Sequence, residues 1–205
     1  MGEIKDTYCT IADKAQGLYK EKGSKFMAYA FPVSAEDEVK PILLDLRKDY
    51  HDARHHCYAY VIGYDGESWR VNDDGEPSST AGKPIHGQII SRNLTNTLVV
   101  VVRYFGGTKL GVSGLLNAYK AAASDALDAA QIVERTINEI YKVSFAYPAT
   151  NDIMRLIKEE DLQVMSQEFN VSCSATVGVR LSKTDLFLDR VDKIDSAVAE
   201  HIKTE

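Results

Sequence analysis

The side chains that could do chemistry gather in three stretches. One is Arg103-Tyr-Phe-Gly-Gly-Thr-Lys-Leu-Gly111, where Arg103 and Lys109 flank Gly106 and Gly107. It joins a Val-rich run at 98–102 to an Ala-rich run at 115–130. A buried strand, a glycine turn and a helix start beside two cations form a setting in which α/β proteins bind anions. Free backbone N–H groups point outward there and carry partial positive charge. Gly106, Gly111 and Ser113 satisfy most of the phosphate-loop pattern, but Val112 stands where that loop needs its lysine. The dinucleotide spacing G-x-G-x-x-G is absent too, which removes both nucleotide motifs. What survives is a phosphate or carboxylate held by Lys109, Arg103 and the helix start. The competing reading is that the glycines only permit a tight turn and close packing of an Ala-rich helix.

The second stretch is His55-His56-Cys57, and the third is Asp73-Asp74-Gly75-Glu76-Pro77 with Lys83 close behind. Neighbouring strand residues point to opposite faces, so His55 and His56 cannot both ligate one metal from an ideal strand. Zinc would need further ligands. Asp73, Asp74 and Glu76 are carboxylates of the kind Mg²⁺ or Mn²⁺ takes, yet an acidic Gly/Pro loop also suits a solvated turn. No metal and no cofactor is expected. Lys83 is either an ion-pair partner of these carboxylates or part of an anion site. Cys57 falls on an apolar strand face and reads as core rather than nucleophile. No Ser-His-Asp or Cys-His-Asn arrangement can be read from spacing, so no catalytic residue is assigned. Tyr58, Tyr60 and Ile62 line the face opposite Cys57. They could stack bases on an open sheet or pack beneath a helix.

These stretches must be positioned by strands and helices. Alternation predicts a strand at 24–33, with the preceding polar stretch, 13–23, making a hairpin to an earlier strand near 8–12. Ser34-Ala-Glu-Asp predicts a helix reaching about Tyr50, kinked or delayed by Pro41. Strands are expected at 55–63, 68–71 and 97–105, the last apolar on both faces and hence central. Residues 72–84 read as a loop and 85–92 as a helix. The next helix opens at Ser113 or Gly114. From about Ile137 the pattern becomes β-α-β-β-α. It has strands at 141–147, 164–170 and 172–181, a helix capped by Thr150-Asn-Asp, and a last helix from Ser182 carrying Phe187, Val191, Ile194 and Val198. This is close to the ferredoxin-like split βαβ unit without its final strand. The boundary falls at about 133–136.

Composition bounds the function classes. The chain has 205 residues, 44% hydrophobic and 26% charged, enough for one large or two small self-supporting cores. Three scattered Cys with no CxxC pair support neither a disulfide framework nor a zinc knuckle and suit a reduced, cytoplasmic setting. The polar N-terminus lacks the apolar stretch of a signal peptide, and no run approaches membrane-spanning length, so no membrane association is expected. A net charge of −6 gives no global attraction to nucleic acid.

Three motifs occur in order: His55-His-Cys-Tyr-Ala-Tyr60, Asp73-Asp-Gly-Glu-Pro-Ser-Ser-Thr-Ala-Gly-Lys-Pro84 and Val101-Val-Arg-Tyr-Phe-Gly-Gly-Thr-Lys-Leu-Gly111. With Lys25-Phe26 they closely resemble the IMPACT family in its bacterial YigZ-like branch, over roughly residues 15–130. Ser79 and Ser113 stand where that family usually has Gly, and Asn117 where a basic residue is common. Ser113 could improve a helix cap. The resemblance implies an α+β protein of two domains. Residues 1–134 would be an IMPACT-type domain similar to ribosomal protein S5 domain 2 and elongation factor G domain IV. Residues 137–205 would be a small ferredoxin-like domain similar to another elongation factor G module. It further implies a translation-linked regulatory or binding protein whose partner is RNA, the ribosome or a protein, with no established catalysis. The proline dipeptidase label carried by some relatives finds no dinuclear metal-ligand set here. The alternative is an enzyme or sensor for a phosphate- or carboxylate-bearing small molecule, with or without a divalent metal. Its pocket would join His55, His56, Asp73, Asp74, Glu76, Arg103 and Lys109, with a His as acid/base. The translation-linked reading would instead use a surface of Arg103, Lys109, Lys83 and His56, and Gly106 and Gly107 complete the expected ligand-binding set.

Overall fold

The computed structural model describes residues 6–169 and 172–205. It is a mixed α+β structure whose chain divides into two compact units, Tyr8–Arg135 and Thr136–Glu205 with the residues just before Tyr8.

In the first unit, β1 (Thr7–Ile11) pairs with β7 (Ile132–Thr136) in a two-stranded ribbon. The main sheet has five strands: β2 (Ala15–Glu21), β3 (Ser24–Pro32), β4 (His55–Ile62), β5 (Ser68–Asn72) and β6 (Thr97–Tyr104). They lie in the order β2-β3-β6-β4-β5, each antiparallel to its neighbours. The expected hairpin is therefore different. The stretch before β3 is itself a strand, β2, and it turns at Lys22-Gly23 into β3, while β1 pairs elsewhere. Polar composition hid β2 because it is an edge strand, with half-exposed or exposed residues after Ala15.

β6 is central and buried from Thr97 to Arg103, as its two apolar faces require. Val99 and Val101 share one core with Cys57, Ala59 and Val61 of β4. Helices α2 (Gly82–Ser91) and α3 (Gly111–Asp128) close this face, contributing Ile85, Ile89, Tyr119 and a run of buried Ala. Leu98, Val100 and Val102 face the other way, into a second core with Tyr58, Tyr60 and Ile62. Helix α1 (Glu36–Asp49) covers that side with Val39 and Leu46. The tyrosine stripe is thus roofed, with Tyr58 8% and Tyr60 4% exposed, and presents no open face to bases or partners. α1 runs through Pro41 in its second turn. Ser34 supports its entry by donating Oγ–H to Glu38 Oε1 at 2.6 Å. α3 begins at Gly111, so Ser113 is already inside the helix and does not cap it.

The second unit has β8 (Asn138–Phe145), α4 (Thr150–Glu159), β9 (Gln163–Phe169), β10 (Cys173–Arg180), α5 (Thr184–Val191) and β11 (Val198–Thr204). The last helix ends at Val191, and Val198 opens a final strand that the sequence pattern concealed. β11 is an edge strand, mostly exposed, so its apolar residues do not alternate as a half-buried strand would. The sheet order is β11-β8-β10-β9. Its core joins Tyr141, Val143 and Phe145 to Val177, Val179, Leu156 and Phe187. The strand end expected at Asn170 lies outside the described residues. No helix among the described residues is long and apolar enough to cross a membrane.

Candidate functional site

The site grows from one row across the sheet. Register places His55 of β4 opposite Arg103 of β6, and Arg103 opposite Phe26 of β3. Directly opposed residues of antiparallel strands share a face, so all three project toward α2 and α3. Arg103 is the last buried residue of β6, 6% exposed, with its guanidinium carbon 5.3 Å from the Phe26 ring centroid and 5.7 Å from that of Phe105. A cation this buried needs a counter-charge. Glu76 supplies it: Arg103 Nη1 donates to Glu76 Oε1 at 2.5 Å, and the two side chains are 7% and 4% exposed.

The acidic loop delivers Glu76 through two successive residues with positive φ, Asp74 at 40° and Gly75 at 85°. Its three carboxylates have separate partners. Asp73 accepts three backbone N–H groups, from Ser79 at 2.7 Å, Ala81 at 3.0 Å and Gly82 at 2.8 Å, and so ties the loop to the entry of α2. Ser79, at φ 64°, adopts the left-handed conformation that a Gly takes without strain. Asp74 accepts from Arg47 of α1 at 2.8 Å and from the backbone N–H of His56 at 2.7 Å. Glu76 also accepts from Tyr119 Oη–H of α3 at 2.8 Å. Burial pushes the Tyr119 phenol upward, with Cys57 and Glu76 adding to the effect, so it stays protonated and donates. The Cys57 thiol is raised too, chiefly by burial, and lies 3.3 Å from Tyr119 Oη and 3.1 Å from the Asp73 carbonyl. A thiol held protonated is no nucleophile.

The two histidines part company. His56 is 2% exposed and faces the α1 core; burial, with Arg47 close by, lowers its pKa and keeps it neutral. His55 is accessible, with Nδ1 2.8 Å from the Asp74 carbonyl oxygen. A carbonyl only accepts, so the neutral ring carries its proton on Nδ1. Nε2 is then the lone-pair nitrogen, 4.0 Å from Glu76 Oε1 and too far for a direct hydrogen bond.

Beside these groups opens a cavity of about 470 Å³. Its polar lining comes from Arg54, His55, Glu76, Arg103 and Lys109. Its apolar lining comes from Phe105, Leu110, Val112 and Leu115 with Pro77, and Gly111 places the start of α3 at the wall. Arg54 and Lys109 are exposed, and neither enters an ion pair among the described residues. Arg103 Nε is buried and finds no acceptor among the described residues, so Glu76 does not exhaust this guanidinium.

Of the ten residues expected at a site, the cavity gathers His55, Glu76, Arg103 and Lys109. Asp73 and Asp74 brace the loop behind it. His56 lies on the opposite sheet face, in the α1 core, and Lys83 is exposed in the first turn of α2, outside the cavity wall. Gly106 and Gly107 form the turn after β6. Gly106 serves packing: a Cβ there would meet Gly23 C at 1.9 Å and Ser24 N at 2.2 Å. Sequence reading passed over Arg54, Phe105 and Tyr119. Phe105 carried a usable signal, a large apolar side chain at the end of the central strand beside two glycines. Among the described residues no group of three or more His, Cys, Asp or Glu is placed to hold a metal ion.

Comparison with known proteins adds a relationship to this geometry. A model of the Impact N-terminal domain matches residues 22–127. The IMPACT family member YvyE of Bacillus subtilis (strain 168) is 30% identical over 194 residues, covering 95% of this chain and 89% of that protein. The IMPACT family member YigZ of Escherichia coli (strain K12) is 30% identical, covering 81% and 82%. Protein IMPACT of Rattus norvegicus is 35% identical over 95 residues, 44% of this chain and 30% of that one. A crystal structure described as that of an hypothetical protein superimposes with a TM-score of 0.76 at 26% identity, over 98% of this chain and 99% of that one.

Proposed function

The chain belongs to the IMPACT family, and from that premise we propose that its Tyr8–Arg135 unit is a binding module for a small molecule bearing a phosphate or carboxylate. The observation that carries this reading is the cavity's cationic lining. Arg54 and Lys109 reach it unpaired among the described residues, and Arg103 backs it with donor capacity beyond Glu76. Its volume falls in the range of small-molecule sites, roughly 300–1,000 Å³. The net charge of −6 and the roofed tyrosine stripe weigh against an extended RNA track. The test is a titration with inorganic phosphate followed by backbone amide resonances. Movement of the amides of 109–112, lost in the Arg54→Ala/Lys109→Ala double variant, is the expected result. Amides that stay still at millimolar phosphate reject the reading.

A translation-linked role is the second reading, with the ribosome or a protein as partner. Its support is the second unit, whose β-α-β-β-α-β order and β11-β8-β10-β9 sheet fit the ferredoxin-like module that the family resemblance implies. Co-sedimentation with ribosomes at low salt tests it, and protein remaining wholly in the supernatant counts against it.

A further inference from the structure

The cavity has an apolar lining that an anion alone does not explain. Phe105 is 54% exposed and Val112 60% exposed, and with Leu110, Leu115 and Pro77 they give the cavity an apolar lining beside the cations. Exposed large apolar side chains gathered in one concave wall mark a contact surface rather than leftover core.

Phe105 is held at the cavity by its own backbone. The next residue, Gly106, packs its Cα against the β2–β3 turn and donates its N–H to Ser24 Oγ at 3.1 Å. In the core, Phe26 and Tyr119 pack edge to face at 5.1 Å, while Phe105 stays exposed. Behind it stands the Arg103 guanidinium. An exposed ring beside a cation cluster suits a planar aromatic group linked to an anion, since stacking and charge are then satisfied together.

Building on the anion-pocket reading, we infer that the ligand class is a free mononucleotide. Its phosphate would sit between Arg54, Lys109 and the start of α3, and its base would lie on Phe105. Two unpaired cations suit the double charge of a phosphate monoester better than a single carboxylate. The volume of about 470 Å³ is that of a small-molecule site and suits one such unit. The negative chain charge also disfavours a polyanion.

Calorimetric titration of the full-length protein tests this with adenosine 5′-monophosphate, ribose 5-phosphate and a 5′-phosphorylated oligonucleotide. The monophosphate is expected to bind about tenfold to a hundredfold more tightly than ribose 5-phosphate, the usual return from stacking one base. Phe105→Ala should bring that ratio close to one, and Phe105→Leu should restore only part of it. Thermal melts of both variants establish that the fold survives. Equal binding of the nucleotide and ribose 5-phosphate by the parent protein overturns the nucleotide inference and leaves the anion pocket standing. Binding of neither, with amides of 109–112 unmoved by phosphate, overturns both. Much tighter, steeply salt-dependent binding of the oligonucleotide overturns the free-mononucleotide inference in favour of a strand end.

Discussion

At the scale of single residues, Glu76 is the pivot of the site. It neutralises a buried arginine, takes the Tyr119 hydroxyl and lies 4.0 Å from His55 Nε2. Removing one member of a buried ion pair leaves the other desolvated and unpaired, which typically costs about 3–5 kcal/mol. Glu76→Ala is therefore expected to lower stability by about that amount in a denaturant titration, whereas Glu76→Gln, which keeps an acceptor for Tyr119, should lose less. A Glu76→Ala protein as stable as the parent would show that Arg103 has another counter-charge. Lys109 plays the opposite part. It is exposed and outside any ion pair among the described residues, so its loss should leave stability within about 0.5 kcal/mol. Losing one charge-assisted contact should weaken phosphate binding about tenfold. Unchanged phosphate affinity in Lys109→Ala would remove this side chain from the site.

At the scale of elements, the turn after β6 decides where the site lies. Gly106 touches the β2–β3 turn backbone to backbone, and this contact sets the course of the chain between Arg103 and Lys109. Any side chain at position 106 must displace backbone rather than a flexible side chain. Gly106→Ala should therefore cost about 3 kcal/mol or more and disturb the phosphate site. Gly87 is the contrast, since an added Cβ there meets nothing within 4 Å and the residue lies inside α2. Gly87→Ala should raise stability by up to about 1 kcal/mol through helix propensity. Melting temperatures of the two variants check both signs, and similar values for the pair would refute the packing argument. Asp73 works at the same scale, joining the acidic loop to α2 through three backbone N–H groups.

At the scale of the whole molecule, two histidines, His56 buried and His86 half-buried, tie stability to pH. His56 and His86 both have pKa values lowered from the ordinary 6.5, chiefly by burial. The Arg47 charge adds to the shift at His56, and Asp74 opposes it only in part. The folded chain favours the neutral form of both rings, while the unfolded chain takes up protons once the pH falls below about 6.5. Stability should therefore be fully present above that value and decline as the pH falls from about 6.5 toward the lowered folded-state values. Denaturant titrations at about pH 7.5 and pH 5.5 measure the decline, and His56→Asn should flatten it. Stability that rises on acidification would contradict neutral burial of these rings.

How much of this was legible in the chain follows from the range of the forces involved. β6 could be read as central because burial on both faces demands apolar residues throughout, and Cys57 as core because its strand face alternates. The motifs and the family were likewise written in residue order. Edge strands β2 and β11 escaped because one solvated side removes the periodic signal, so polar composition resembled a loop and Val198 resembled the end of a helix. The candidate site was legible only in part, for the same reason. Residue types marked His55, Glu76, Arg103 and Lys109, but Asp73 and Asp74 have the same chemistry as Glu76. Only the tertiary course of the loop, through the positive φ of Asp74 and Gly75, separated a carboxylate that neutralises Arg103 from two that brace the backbone. The sequence by itself determined which side chains were available and which strands needed cover on both faces, because propensity and periodicity are local. Which of those side chains meet was decided by strand register and by backbone contacts between residues far apart in the chain, such as Gly106 with Gly23.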